Sequence, residues 1–241
     1  MTLNNIFILP GNCRTFIDCI DSCYDHVISK LFQGIESNNY LYLYLKLNDP
    51  GPKGQEGWNF SYNDIDNNKL IEKINELKQK YNLNIDYKII NDNEITDDEL
   101  FKQIKDRSKY VHHYEKDNIL LRGLHCHYNF ECCGKYIQEK EKLIDIKFDN
   151  IIYIRPDLYF TEDCEVITNY SNELITIAEG PTSYNIDHLA IIPRNHFDSF
   201  FFDRINLYRN NDKIYFESPE HVYIYTIKFT IKKIGTYFIK R

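Results

Sequence analysis

Positive charge is in short supply: 29 Lys and Arg stand against 36 Asp and Glu, a formal net charge of −7. Binding a phosphate backbone needs a concentrated positive field, so this balance argues against a nucleic-acid partner. Long apolar runs are missing as well. The stretch Ile6 to Leu9 is too short to cross a bilayer, and it has neither a basic region before it nor a small-residue cleavage pattern after it. It reads as a strand, and the chain as a soluble, cytoplasmic protein with no membrane span. Seven cysteines (Cys13, Cys19, Cys23, Cys126, Cys132, Cys133 and Cys164) form an odd set without a CxxC pair. That set predicts reduced, packed thiols, and neither a closed disulfide framework nor a zinc site. Alanine is almost absent, with only Ala178 and Ala190, while Asn, Ile, Lys and Tyr abound. This is the imprint of AT-rich coding and says nothing about chemistry. No internal repeat or low-complexity linker divides the 241 residues, a length that suits one α/β domain over 1–241.

Hydrophobic residues make up 43% of the chain and aromatics 15%, enough to fill a core with Ile, Leu, Tyr and Phe. Asn5 to Leu9 predicts a strand ended by Pro10-Gly11-Asn12. Phe16, Ile20, Val27 and Leu31 recur at helical spacing from Thr15 to about Gln33, with Gly34 just beyond. The next strand is Tyr40 to Leu47, where tyrosine and leucine alternate. The Pro- and Gly-rich stretch from Asn48 to Tyr62, which holds Trp58, reads as a loop. Lys69 to Tyr81 predicts an amphipathic helix, Ile85 to Ile90 a strand, and Thr96 the cap of a helix with Asp97, Asp98 and Glu99 in its first turn. Leu124 to Ile144 follows as a helix despite Gly134, then strands at Ile151, Leu174 to Ala178 and Asp187 to Ile192, and a helix from Asn195 to Asn206. Glu220 to Thr230 is helical or extended, and Gly235 to Ile239 extended. Alternating strands and helices imply a mainly parallel sheet with right-handed crossovers.

The most informative segment runs from Asp149 to Phe160. A continuous apolar run predicts a strand buried on both faces, and it stops at Arg155-Pro156-Asp157. Pro156 has no N–H and biases its predecessor toward extended geometry, so pairing should fail there. A cation and a carboxylate are thereby held at the carboxyl edge of a central strand, where open α/β sheets bind ligands.

Four segments in order, Ile6 to Phe16, Asp149 to Phe160, Asp187 to Arg194, and Ser218-Pro219-Glu220-His221, resemble GT-A-type glycosyltransferases. More narrowly, they resemble the small sugar transferases encoded by large DNA viruses and polysaccharide loci, whose location would be the host cytoplasm if the chain is viral. The resemblance implies a single Rossmann-like GT-A-type α/β domain with a mainly parallel central sheet flanked by helices. It implies transfer of a sugar from a nucleotide-diphosphate sugar to a hydroxyl of a glycan or glycoprotein acceptor. Many such enzymes use an Asp-x-Asp motif to bind Mn²⁺ or Mg²⁺ against the donor diphosphate. Here Arg155 stands where the first acid is usual, and arginine can itself neutralise a diphosphate through a permanent charge and a planar fork. The departure leaves a second reading open: a non-catalytic nucleotide-sugar or glycan-binding module on the same fold. Oligomeric state is not legible in either case.

Each candidate residue has a functional and a structural reading. Asp157 is a donor or metal ligand, or a turn aspartate; Arg155 binds donor phosphate, or pairs with Asp157. Gly11 and Arg14 lie in the first strand-to-helix loop, where unpaired N–H groups favour anions, although Gly11 is also what a turn requires. Asp187 is the candidate base for the acceptor hydroxyl, and His188 an acceptor contact; both also suit the start of a strand. His221 is a candidate metal ligand with Asp157, yet Ser218, Pro219 and Glu220 make an ordinary helix start. Trp58, with Tyr62, is placed to stack on an acceptor sugar or to be part of an insertion. The pairs His112-His113 and His125–His127 lack the spacing of a zinc site and read as packed or surface histidines.

Overall fold

The computed structural model describes residues 2–13, 15–47, 66–91, 95–104, 117–166, 175–178, 188–210, 229–232 and 237–239. Its elements in chain order are β1 (Leu3–Asn12), α1 (Phe16–Cys23), β2 (Ser37–Lys46), α2 (Asn67–Tyr81), β3 (Asn84–Ile90), α3 (Asp97–Lys102) and α4 (Asp117–Ile144). There follow β4 (Asn150–Ile154), β5 (Leu158–Phe160), β6 (Ile175–Ala178), β7 (Leu189–Pro193), α5 (Phe197–Phe201), α6 (Asp203–Asn210), β8 (Phe229–Lys232) and β9 (Tyr237–Ile239). Seven strands form one sheet in the order β3-β2-β1-β4-β7-β6-β8, while β5 and β9 pair separately.

Strand alternation sorts side chains between the two faces of the sheet, because successive residues point to opposite sides. Phe7, Leu9, Leu41, Leu43, Leu45, Ile152, Ile154, Leu189 and Ile191 bury one face against Phe16, Ile20 and Val27, and against Leu70, Ile74 and Leu77 of α2. Ile6, Ile8, Tyr42, Tyr44, Ile151, Tyr153, Ala190 and Ile192 bury the other against Phe130, Cys133 and Ile137 of α4 and Phe197, Phe200 and Phe201 of α5. The result is three layers. Fully burying one such side chain is worth about 1.5–3 kcal/mol, so the central strands carry much of the stability. The Tyr–Leu alternation of β2 thus separates a leucine face from a tyrosine face, on which Tyr42 stacks against Tyr136 at 3.5 Å.

Register is pinned at the amino edge. The Asn150 amide donates to Asn5 Oδ1 at 2.9 Å, and the Asn5 amide donates to Asn39 Oδ1 at 3.0 Å. This amide row crosses β4, β1 and β2, and both Asn5 and Asn150 are buried. A one-residue slip of any of the three strands would strand a buried amide.

Several expectations are refined. Pro10, Gly11 and Asn12 are not a turn: β1 runs through them, paired in parallel with Tyr44, Leu45 and Lys46. The first helix changes character at Tyr24, continuing as a π-helical turn over Tyr24–Ile28 in which Ser29 N–H donates to the Tyr24 carbonyl. Gly134 sits inside α4 because a Cβ there would lie 2.8 Å from Phe201 Cβ and from the Phe202 ring, so its absence lets α5 approach. Asn195 to Asn206 divides into a 3-10 turn, α5 and α6. Thr96 caps α3 as expected, in a capping box with Glu99.

The sheet is mixed. Four of its six pairings are parallel, but β7 runs antiparallel to both β4 and β6. All seven cysteines are free thiols, five of them buried. Among the described residues no helix is long and apolar enough to cross a membrane.

Candidate functional site

Because β1, β2 and β4 are parallel, their carboxyl ends share one edge of the sheet. β7 is antiparallel to β4, with Leu189 opposite Ile154, so its amino end reaches the same edge. The last rung between them is Arg155 N–H donating to the His188 carbonyl at 2.8 Å. Pairing stops at the next residue, Pro156, which has no hydrogen to donate. The chain then turns, with Leu158 N–H facing the Arg155 carbonyl at 3.4 Å and proline in the position a β-turn favours. The segments around Arg155 and His188, far apart in sequence, therefore meet. Asp157 and His188 are both buried.

Arg155 and Asp157 face each other fork to fork. Nε donates to Oδ1 at 2.9 Å and Nη2 to Oδ2 at 2.7 Å. The Asp157 side chain is 5% exposed and that of Arg155 23%, so the guanidinium is the more accessible partner and the carboxylate lies beneath it. A buried carboxylate without this partner would carry a large desolvation cost, which a bidentate guanidinium offsets. The ion pair, one of the two readings of Arg155 from sequence, is thus formed.

Gly11 meets this turn from β1. Its φ is +150°, and a Cβ built on it would lie 3.0 Å from Pro156 Cδ and 3.1 Å from Pro156 Cγ. Glycine is required twice over, by backbone conformation and by the close approach of the proline. One residue beyond Asn12, Cys13 donates its N–H to the Lys46 carbonyl. Its thiol is wholly buried, and burial pushes it up to about 11, so it is a protonated packing group. In the first turn of α1 stands Asp18, an exposed carboxylate at the helix end where the sequence suggested an anion site.

Behind the turn, β5 is fastened to the first helix. Phe160 N–H donates to Ser22 Oγ at 3.1 Å, and Cys164 N–H to the His26 carbonyl at 2.8 Å. His26 Nδ1 and Asp163 Oδ1 are 2.8 Å apart, and Lys30 Nζ is 3.2 Å from the same carboxylate. Ser22 and His26 anchor β5 and the residues after it, which follow the Arg-Pro-Asp turn, from far away in sequence.

Four sequence candidates, Arg14, Trp58, Asp187 and His221, lie outside the described residues, as do His112 and His113. Of the two expected metal ligands, Asp157 and His221, only Asp157 lies among the described residues. Both oxygens of Asp157 accept from one guanidinium, and among the described residues no group of three His, Cys, Asp or Glu is arranged to hold a cation. His125 and His127 lie on α4, and His127 packs against Tyr208 at 5.6 Å.

No protein-family model and no curated protein sequence matches the chain. Solved glycosyltransferase structures do resemble it. GlyE of Streptococcus pneumoniae TIGR4 is 11% identical with a TM-score of 0.43, over 97% of this chain and 45% of that one. The galactosyltransferase LgtC, solved with donor and acceptor sugar analogues, is 9% identical with a TM-score of 0.41, over 91% of this chain and 69% of that one. The bifunctional glycosyltransferase WbbM is 7% identical with a TM-score of 0.45, over 97% of this chain and 38% of that one. The chain spans less than half the length of GlyE and of WbbM.

Proposed function

We propose that residues 1–241 form one GT-A-like domain that transfers a sugar from a nucleotide-diphosphate sugar to a hydroxyl of a glycan or glycoprotein acceptor. The observation that carries this reading is the convergence, at one sheet edge, of a bidentate Arg155–Asp157 pair, the close-packed Gly11 and the buried His188. A guanidinium on a rigid turn at that edge suits a diphosphate, whose oxygens match its fork. In the reaction the acceptor oxygen bonds to the anomeric carbon, the bond from that carbon to the diphosphate breaks, and the bonding pair leaves on the diphosphate. Arg155 and Arg14 neutralise the charge that develops there. Asp187 takes the proton of the acceptor hydroxyl, and His188 and Trp58 contact the acceptor. Asp157 holds Arg155 before the donor arrives and accepts from a donor hydroxyl once the diphosphate has taken the guanidinium.

The test is turnover by the purified chain on a panel of UDP-, GDP- and dTDP-sugars. Hydrolysis or transfer is expected from at least one donor, with Asp157→Ala abolishing it in a protein that still folds. Neither binding nor turnover across the whole panel would sink the reading. A second reading, a binding module without catalysis, is favoured by the neutralisation of Asp157 by Arg155 and predicts donor binding with no turnover on any acceptor.

A further inference from the structure

We propose that Arg155 stands in for a divalent cation, so that this chain binds a nucleotide diphosphate without metal and Asp157 competes with the diphosphate for the same guanidinium. The inference rests on the donor-diphosphate reading of the site and adds the identity of its positive charge. A carboxylate ligates a metal through its negative charge, and that of Asp157 is already balanced by Arg155, whose charge-assisted hydrogen bonds to its two oxygens are 2.9 and 2.7 Å long. A cation entering beside them would meet the guanidinium charge at close range, where like charges repel. An anion meets the opposite situation. It approaches the more exposed partner first, 23% against 5%, and presents oxygens with the spacing of the carboxylate they displace.

The surrounding backbone favours this exchange. The Arg155 main chain is held by the His188 carbonyl, and Pro156 is wedged on Gly11, so the base of the arginine stays put while its head group changes partner. The carboxylate that gives up the guanidinium lies two residues away on the same turn, and no strand pairing has to break. No bond is made or broken covalently; one hydrogen-bonded counter-ion replaces another. A metal ligand at position 157 and a competitor at position 157 make opposite predictions for the same substitution.

The experiment is calorimetric titration of the full chain with UDP, GDP, dTDP and inorganic pyrophosphate, in excess EDTA and again with Mn²⁺. Binding in EDTA within about twofold of that with Mn²⁺ is expected, because the guanidinium carries the charge. Asp157→Asn should tighten binding in EDTA several-fold by removing the competing charge, and Arg155→Lys should weaken it about tenfold by losing the fork while keeping the charge. Arg155→Met should remove binding, with circular dichroism reporting whether it folds; Arg155→Lys keeps the test decisive if it does not. Binding that requires Mn²⁺ and disappears in Asp157→Asn would overturn the inference and leave the proposed function standing. Metal-free binding that Arg155→Lys leaves unchanged would also overturn it. No binding of any diphosphate under either condition would overturn the function and the inference together.

Discussion

The sheet carries a buried carboxylate near each edge, and the two are held in different ways. Glu141, at the amino edge, is inaccessible and accepts from Lys147 Nζ at 2.7 Å, Phe148 N–H at 3.0 Å and Arg194 Nη1 at 2.6 Å. Those donors come from the loop after α4 and from the far end of β7, where Arg194 also donates its N–H to the Asp149 carbonyl. Asp157, at the carboxyl edge, is bound through a guanidinium two residues away on its own turn. Glu141 ties separate elements together, so removing it unpicks the junction of α4, β4 and β7. Asp157 is tied locally, so its pairing can change while the sheet stays intact. A buried ion pair is therefore structural or available for function according to how many elements it joins, even when its burial is the same.

The strongest way to break this comparison is to remove each carboxylate. Glu141→Ala leaves the buried Phe148 N–H without its acceptor and severs the ties to Lys147 and Arg194, and should cost about 2–3 kcal/mol in urea unfolding. Asp157→Ala leaves a guanidinium that water can partly reach, and should cost only about 1–2 kcal/mol while eliminating turnover. Equal losses of stability would show that the two carboxylates are the same kind of group. Next in size is Gly11→Ala, where the new Cβ presses on Pro156 at 3.0 Å with φ at +150°. A destabilisation of about 1–3 kcal/mol is expected, with diphosphate affinity falling more than stability alone explains. Gly134→Ala places a Cβ 2.8 Å from Phe201 and Phe202, away from the site. It should cost about 1–3 kcal/mol by overpacking and leave diphosphate affinity unchanged.

The smallest effect is on pH dependence, and it concerns a third carboxylate. Burial pushes Glu131 up, but the Arg209 guanidinium and Lys135 outweigh it, and the carboxyl lies below its ordinary range. A folded pKa below the unfolded one means stability that is present above the unfolded value and lost as pH falls through the folded one. The loss therefore falls below about pH 4.3, the ordinary glutamate value. Glu131→Gln should flatten the fall in urea midpoint between about pH 5 and pH 3, and an unchanged slope would show that Arg209 does not stabilise the charged form.

Much of the fold was legible locally. The end of β4 follows from one missing N–H at Pro156, the start of α3 from Thr96 and Glu99, and the two faces of β2 from alternating tyrosine and leucine. The ion pair of Arg155 with Asp157 was also within reach, since the two side chains are close in sequence. The direction of β7 was not. Its apolar run reads the same whether it lies parallel or antiparallel to β4, because both faces are buried either way. Nor could Gly11 be matched to Pro156, or Ser22 to Phe160, since each pairing closes a long loop and leaves no periodic trace.

The sequence by itself determined the end of β4 at Pro156 and the start of α3 at Thr96, because prolines and caps act through neighbouring residues, but not the end of β1, which runs on through Pro10, Gly11 and Asn12. Only the tertiary structure decided that β7 enters antiparallel beside β4, which brings His188 to Arg155, and that β1 is in register to press Gly11 against Pro156. Those choices are made by burying both faces of a sheet at once, a condition that no single segment can satisfy alone.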